Sequence, residues 1–394
     1  MSAVVADSGL VATTWRRLRT GDLGVLPVAV VLVLIGIVFQ LLNPHFLSSD
    51  NLVNLTQQSA ATGVIALGVV LTLHVGQIDL SVGAVSGLAA AVVAVGSVQL
   101  GWPLWLSVLA ALAVGVLVGS IYASLHTRLA VPSFVFTLAG LLVVTGLQMR
   151  VLGPTGSVNL PFEWWLVRFC QTAFLAPATS WAIVALVVLG YAAGRATGRV
   201  RRLRVELPVA PLWQVVARVV ALAAVLSVVV AYLGTNRGVG AVFALFVALV
   251  ALTDLMLRRT RWGRFVRAVG GDAEAARKAG VPVRRVFVSA FVACSTLAAL
   301  GGVLAVGRLA AANQGSGAGD TNLTAIAAAV IGGTSLFGGR GSAWSALVGI
   351  LVVQSISTGL TLLNLDQSAR LVVTGLVLAV AVTIDALQRR ARES

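Results

Sequence analysis

The chain has 394 residues, of which 58% are hydrophobic and only 10% charged, with a formal net charge of +15. A soluble domain carries roughly 25% charged residues, so a water-soluble enzyme is excluded. The basic excess does not point to nucleic acid either, because its charges cluster in short stretches between apolar runs, as topology signals do.

Several of those runs reach the roughly 20 residues needed to cross a bilayer. Their continuity favours helices over the ten-residue alternating strands of a membrane barrel. The expected fold is an all-α polytopic membrane protein with about 12 transmembrane or re-entrant helices in a single domain over residues 1–394. Residues 1–24 form a polar tail with Arg16, Arg17 and Arg19. No small-residue cleavage site follows the first apolar run, which therefore reads as a retained helix rather than a signal peptide.

Spans are expected near 25–42, 60–76, 80–98, 104–125, 134–152, 173–193, 213–233, 238–257, 286–307, 322–336, 343–362 and 369–387, followed by a tail over 388–394. An even number of spans puts both termini on one side. With both in the cytoplasm, 22 of the 28 Lys and Arg lie inside. Arg150, Arg168, Arg237, Arg308 and Arg370 lie outside, and Arg218 lies within a span. The reverse orientation would invert this bias.

The stretch TLHVGQIDLSVGAVSG (Thr72 to Gly87) places one carboxylate, Asp79, between two apolar runs. A charge near the bilayer centre costs about 2.5–3.5 kcal/mol on insertion scales. A broken chain lowers that cost. Gly76 is expected to end one helix, and Asp79 or Ser81 to cap the next. Asp79 is thus either a structural cap or the polar lining of a path, and a broken helix at depth is tolerated where it faces a cavity. His74 reads as a buried neutral imidazole. Gly83-x-x-x-Gly87 and Gly115-x-x-x-Gly119 fit close helix packing.

Further along, the outer loop from Gly153 to Thr172 is long and contains Cys170. The other cysteine, Cys294, falls in a helix, and the pair makes no disulfide framework or metal spacing. An inner loop from Gly194 to Leu212 is basic. Asp254 precedes Arg258 by four residues, a spacing for an ion pair. The inner loop from Arg258 to Arg285 holds a short amphipathic helix capped by Asp272, continued by Glu274 to Lys278, and stopped by Gly280 with Pro282 beyond. Such a helix could hold the membrane surface, or it could be a lever docked into a soluble partner. GGTSLFGGRGS (Gly332 to Ser342) is a second glycine-rich break, including Gly332, Gly333 and Gly341. It lacks the Gly-Lys-Ser/Thr ending of a P-loop, and the single lysine, Lys278, follows Arg277. Both breaks are flanked by apolar helices, and paired broken segments point to a transport site.

Four blocks occur in order: QIDLSVGAVSGLAAA, VPSFVFTLAGLL, WGRFVRAVGGDAEAARKAGV and LTAIAAAVIGGTSLFGGRGSAWSALVG. On these, residues 50–390 resemble the permease subunits of bacterial ABC sugar importers of the ribose/xylose type. The extra basic loop and span near 195–235 are similar to the longer xylose-type branch. The resemblance implies a permease homodimer in the bacterial cell membrane, a cytoplasmic ATPase subunit, and an extracytoplasmic sugar-binding protein. It implies neither cofactor, metal nor catalytic residues in this chain. The segment Glu274-Ala275-Ala276-x-x-x-Gly280 matches the family's EAA-type coupling signature, which makes Asp272, Glu274, Ala275, Ala276, Arg277 and Gly280 the coupling positions. Its Ile-Asp-Leu-Ser block falls on Ile78, Asp79, Leu80 and Ser81, with Gln77 where many members carry Gly or Glu.

The expected function is import of a monosaccharide, a pentose such as xylose, powered by the separate ATPase. The path is expected to include the break at Asp79 and Ser81 and the region Gly332 to Gly341. The rival is a proton-coupled secondary sugar transporter using Asp79, which would need no docking helix. A membrane transferase acting on lipid-linked sugar would need acidic or basic residues clustered in loops, and the outer loops offer few.

Overall fold

The computed structural model describes residues 26–366 apart from 208, 210 and 319, together with scattered positions between 368 and 383. The tails over 1–24 and 388–394 lie outside the described residues, as does most of the span expected at 369–387.

The described helices are α1 (Leu26–Leu42), α2 (Ser49–His74), α3 (Val82–Ala94, prolonged by a π turn over Val95–Gln99), α4 (Leu104–Leu129) and α5 (Ser133–Leu152). There follow α6 (Trp165–Gln171), α7 (Pro177–Arg204), α8 (Leu212–Gly234), α9 (Ala241–Arg259), α10 (Arg261–Gly271) and α11 (Ala273–Lys278). The last are α12 (Val283–Leu309), α13 (Thr321–Ile331) and α14 (Trp344–Leu362). Among the described residues, nine helices are long and apolar enough to cross a membrane.

The ends of these helices follow from local chemistry. The Ser48 hydroxyl accepts from the Asn51 N–H and starts α2. Pro177 opens α7, where its missing N–H costs nothing. Left-handed Ala130 and Ala310 close α4 and α12.

Packing sorts the helices. Over its most apolar 18-residue stretch, α2 is 83% buried, whereas α8 is 0% buried. Helices α2, α3 and α12 therefore form the centre. The hairpin of α7 and α8 lies at the periphery, turning Leu186, Leu189, Val225 and Val228 outward, as a lipid-facing surface does. The Gly115 and Gly119 spacing lets α4 press on α12: a Cβ added at Gly115 would lie 2.6 Å from the Ser295 carbonyl oxygen, and one at Gly119 2.7 Å from that of Phe291. Gly83 and Gly87 serve a different neighbour. They pack on the Ser316–Gly317 backbone, a loop rather than a helix.

Three expectations need correcting. The second span starts at Ser49, eleven residues before position 60, because the polar run from Asp50 to Ser59 is already helical. The basic inner loop from Gly194 is helical through Arg204. At about 1.5 Å per residue, the 28-residue α7 is about 42 Å long, more than the roughly 30 Å hydrocarbon core. The outer loop from Gly153 to Thr172 carries structure of its own. Its strand β1 (Ser157–Asn159) pairs antiparallel with β2 (Ala311–Asn313), with Val158 opposite Ala312. It also holds α6, which buries Leu166, Val167 and Cys170. Cys170 and Cys294 are both free.

Candidate functional site

Helix α2 ends where the Val75 and Gln77 N–H groups both return to the Thr72 carbonyl, at 3.2 and 3.0 Å. Gly76 takes φ +70°, the left-handed conformation that glycine adopts without cost. Asp79 then turns inward and is fully buried. One of its oxygens accepts from the Ser81 N–H at 2.8 Å and from the Ser81 hydroxyl at 2.7 Å. The other lies 3.9 Å from Cys294 Sγ. Cys294 is the twelfth of 27 residues in α12, so Asp79 sits near that helix's mid-length. The capping role expected of Ser81 is not the one found. Ser81 precedes α3, but its hydroxyl donates to Asp79 instead of accepting from the helix. Asp79 fixes the turn, and among the described residues it forms no ion pair.

The second break lies against the first. Gly333, Gly338, Gly339 and Gly341 all have positive φ. Gly332 is buried, whereas Gly333 and Gly341 are exposed. The Gly339 N–H donates to the His74 carbonyl at 3.1 Å. His74 is buried, and its Nδ1–H donates to the Val70 carbonyl at 2.7 Å.

The Arg258–Arg285 segment closes this junction. It holds two helices, not one. In α10, Gly263, Val266 and Val269 are buried while Arg261, Arg264 and Arg267 face outward. The Thr260 hydroxyl caps α10 by accepting from the Gly263 N–H at 3.1 Å. Trp262 Nε1–H donates to the Ser289 hydroxyl at 2.7 Å, tying α10 to α12. Trp262, Phe265, Val266 and Val269 recur at helical spacing, the signal that reveals α10 in the sequence.

The far end of α10 reaches both breaks. A Cβ added at Gly270 would fall onto the His74 carbonyl oxygen and lie 2.6 Å from the Gly339 nitrogen. One added at Gly338 would lie 2.7 Å from the Gly270 oxygen and 2.9 Å from the Gly76 nitrogen. Three backbone segments thus meet where only glycine fits.

Asp272 separates α10 from α11. Its carboxylate accepts from the Glu274 N–H at 2.8 Å and the Ala275 N–H at 3.0 Å. The Ala275 and Glu274 amides hold that carboxyl below its usual range. Ala276 is buried against the body of the protein, while Glu274, Ala275 and Arg277 are exposed. Glu274 pairs with Lys278 at 3.1 Å. Gly280, at φ +80°, turns the chain into α12. The expected Asp254–Arg258 pair forms at 2.9 Å.

A cavity of about 350 Å³ opens beside β2, the middle of α2 and the last turns of α12. Its polar side chains are Gln58, Thr62, Ser86, Arg308, Asn313, Ser316 and Thr321. Asp79, Ser81, Gly332, Gly333 and Gly341 are not part of its wall. Sequence reasoning did not find this cavity, whose residues lie far apart in the chain. The one available signal was Arg308, one of the five arginines expected to lie outside. Among the described residues, no group of three or more His, Cys, Asp or Glu could hold a metal.

The family model for the branched-chain amino acid transport system permease component matches residues 51–382. The chain belongs to this permease family. Among its relatives, the xylose transport system permease protein XylH of Escherichia coli is 33% identical over 345 residues, 88% of this permease and 87% of that protein. The ribose import permease protein RbsC of Escherichia coli is 31% identical over 90% of this chain and 91% of its own. The fructose import permease protein FrcC of Rhizobium meliloti is 31% identical, over 90% and 83%. No solved structure matches the permease. Its helical, multi-pass architecture agrees with the family: apolar helices cross the membrane, and the permease itself is a transport subunit rather than a catalyst.

Proposed function

We propose that this permease is the membrane subunit of an ATP-binding-cassette importer that brings a monosaccharide into the cell, a pentose such as xylose, powered by a separate ATPase. The observation that carries this reading is similarity along nearly the whole chain to three permeases named for sugars. The family model is described by amino acid transport, but the relatives that share about a third of their residues handle sugars by name.

In this reading the permease lies in the inner membrane as a homodimer with both termini in the cytoplasm. The 22 inward basic residues support that orientation. A binding protein delivers sugar from outside, and the ATPase docks at α11 through Asp272, Glu274, Ala275, Ala276, Arg277 and Gly280. The exposed faces of Glu274, Ala275 and Arg277 are available for docking. A push on α11 would pass along α10, held by the Trp262–Ser289 bond, to Gly270 and into the two helix breaks. The breaks adjoin the ends of three membrane helices and the shorter apolar α13, so a shift there would tilt α2, α3, α13 and α14 together. Asp79 and Ser81 with Gly332, Gly333 and Gly341 then belong to the moving framework of the path.

The test is uptake into proteoliposomes containing the permease, its ATPase and its binding protein. Labelled D-xylose should accumulate only with ATP. Accumulation of leucine instead would refute the sugar reading. Accumulation driven by a pH gradient with no ATPase would refute the coupled importer.

A further inference from the structure

Two amides and a guanidinium in the outer cavity have free donors among the described residues. Gln58 Oε1 already accepts from Gln354 Nε2–H at 2.8 Å. Asn313 Oδ1 already accepts from the Gly315 N–H at 2.9 Å. What each amide has left is its NH₂ group, with no partner among the described residues. Arg308 is half-buried, and among the described residues its guanidinium pairs with no carboxylate. A guanidinium offers five N–H donors and no acceptor. No Asp or Glu lines the cavity. The wall therefore offers a surplus of hydrogen-bond donors, and it demands a ligand rich in acceptor oxygens.

An arginine at this end of a helix could simply reach lipid headgroups. Arg308 instead lines a half-open cavity together with groups from α2, α3 and β2. Its volume falls near the lower end of the roughly 300–1,000 Å³ range of small-ligand pockets, a fit to one sugar ring rather than to a chain of them. The first residue of α13, Thr321, also lines the cavity. Ser86, near the start of α3, lines it as well. Helix α3 begins inside the protein and α13 begins half-buried beside it, where the Asn322 side-chain oxygen accepts from the Gly83 N–H at 2.5 Å. Half-helices starting at depth are how transporters build sites from backbone ends.

We propose that this cavity is a transit subsite for the imported monosaccharide, in which Arg308, Gln58 and Asn313 donate to its hydroxyl and ring oxygens, with Arg308 setting selectivity. The proposal rests on the sugar-import reading. The wall lacks carboxylates, so only neutral oxygens such as the hydroxyls of Thr62 and Thr321 accept the sugar's hydroxyl protons, and the sugar is held chiefly through its own acceptor oxygens. That suits passage rather than retention.

The test uses the complete reconstituted importer with D-xylose, D-ribose and D-fructose as probes. Arg308→Gln should raise the KM for uptake about ten-fold or more, the factor for one lost charge-assisted hydrogen bond. It should also change the ratio of rates among the three sugars. Arg308→Lys should restore part of the loss, and Asn313→Ala should act in the same direction. ATP hydrolysis stimulated by the loaded binding protein should stay within two-fold of wild type, since the docking surface is untouched. Unchanged KM and unchanged sugar ratios in Arg308→Gln and Asn313→Ala overturn the subsite while leaving sugar import intact. A parallel fall of uptake and ATP hydrolysis, with no change in KM, also overturns it, because that is the mark of a structural role. Failure of the wild-type importer to move any of the three sugars removes the import reading itself.

Discussion

Replacing Gly270 by alanine perturbs the junction of α10 with both breaks. The new methyl carbon would lie 2.6 Å from the Gly339 nitrogen and 2.9 Å from the His74 carbonyl carbon. Carbon contacts are comfortable at about 3.5–4.0 Å, so the two backbones must part by ~1 Å. The methyl would also press on both ends of the Gly339 N–H to His74 bond, now 3.1 Å. Overpacking of this kind costs about 1–3 kcal/mol. If that strain falls on the states that alternate during transport, uptake should drop roughly 5- to 150-fold. The assay is ATP-driven D-xylose uptake beside ATP hydrolysis in the same proteoliposomes. Hydrolysis should persist while uptake falls, because α11 remains intact. Gly271→Ala is the control: its added Cβ meets nothing within 4 Å, and it should leave uptake within two-fold. Wild-type uptake in Gly270→Ala, or equal damage from Gly271→Ala, would refute the reasoning.

Asp79→Asn keeps an oxygen for the Ser81 N–H and hydroxyl, so uptake should survive within a few-fold, whereas Asp79→Ala should lose expression and uptake together. Abolition of uptake by the asparagine variant with folding intact would instead support a proton-carrying carboxylate. The Asp272 carboxyl is held below its ordinary value of 3.8 by the Ala275 and Glu274 amides. Its contribution is therefore complete above that value and lost as pH falls through the depressed one. ATP-dependent uptake should accordingly show no step from this group between about pH 8 and pH 5, Asp272→Asn should couple nearly normally, and Asp272→Ala should couple poorly. Gly119→Val should lower the melting temperature of the purified permease through about 1–3 kcal/mol of overpacking against α12. Gly190→Ala, whose added Cβ meets nothing within 4 Å, should leave it unchanged or slightly raised.

The features legible in the sequence were those written in local chemistry. Apolar runs of bilayer length announced the spans. Asp272 before Glu274 and Ala275 announced a capped helix, because the cap and its recipients are neighbours. Gly76 and the run from Gly332 to Gly341 announced breaks, since positive φ favours glycine. What stayed hidden was non-local. Nothing near Ser157 declares that it will pair with Asn313, and nothing near Gln58 declares that Arg308 will share its cavity. Between Asp79 and Ser81 the cap stayed open, because a serine before a helix resembles an acceptor cap, and only the burial of Asp79 beside it decides that the Ser81 hydroxyl donates. The helix α10 was overlooked for another reason: its arginines read as a charged loop, although its apolar residues follow a helical period.

The central claim is that work done by another protein enters this permease at α11. Its most direct test is a single cysteine at Ala275, with Cys170 and Cys294 changed to serine, in the assembled importer. Bifunctional cross-linking should join Ala275→Cys to the ATPase subunit, in a yield that changes between the nucleotide-free and ATP-bound states, while a cysteine at Leu186 on the lipid-facing α7 should not cross-link. An Ala275→Cys that never reaches the ATPase in an importer still able to accumulate sugar would contradict the account.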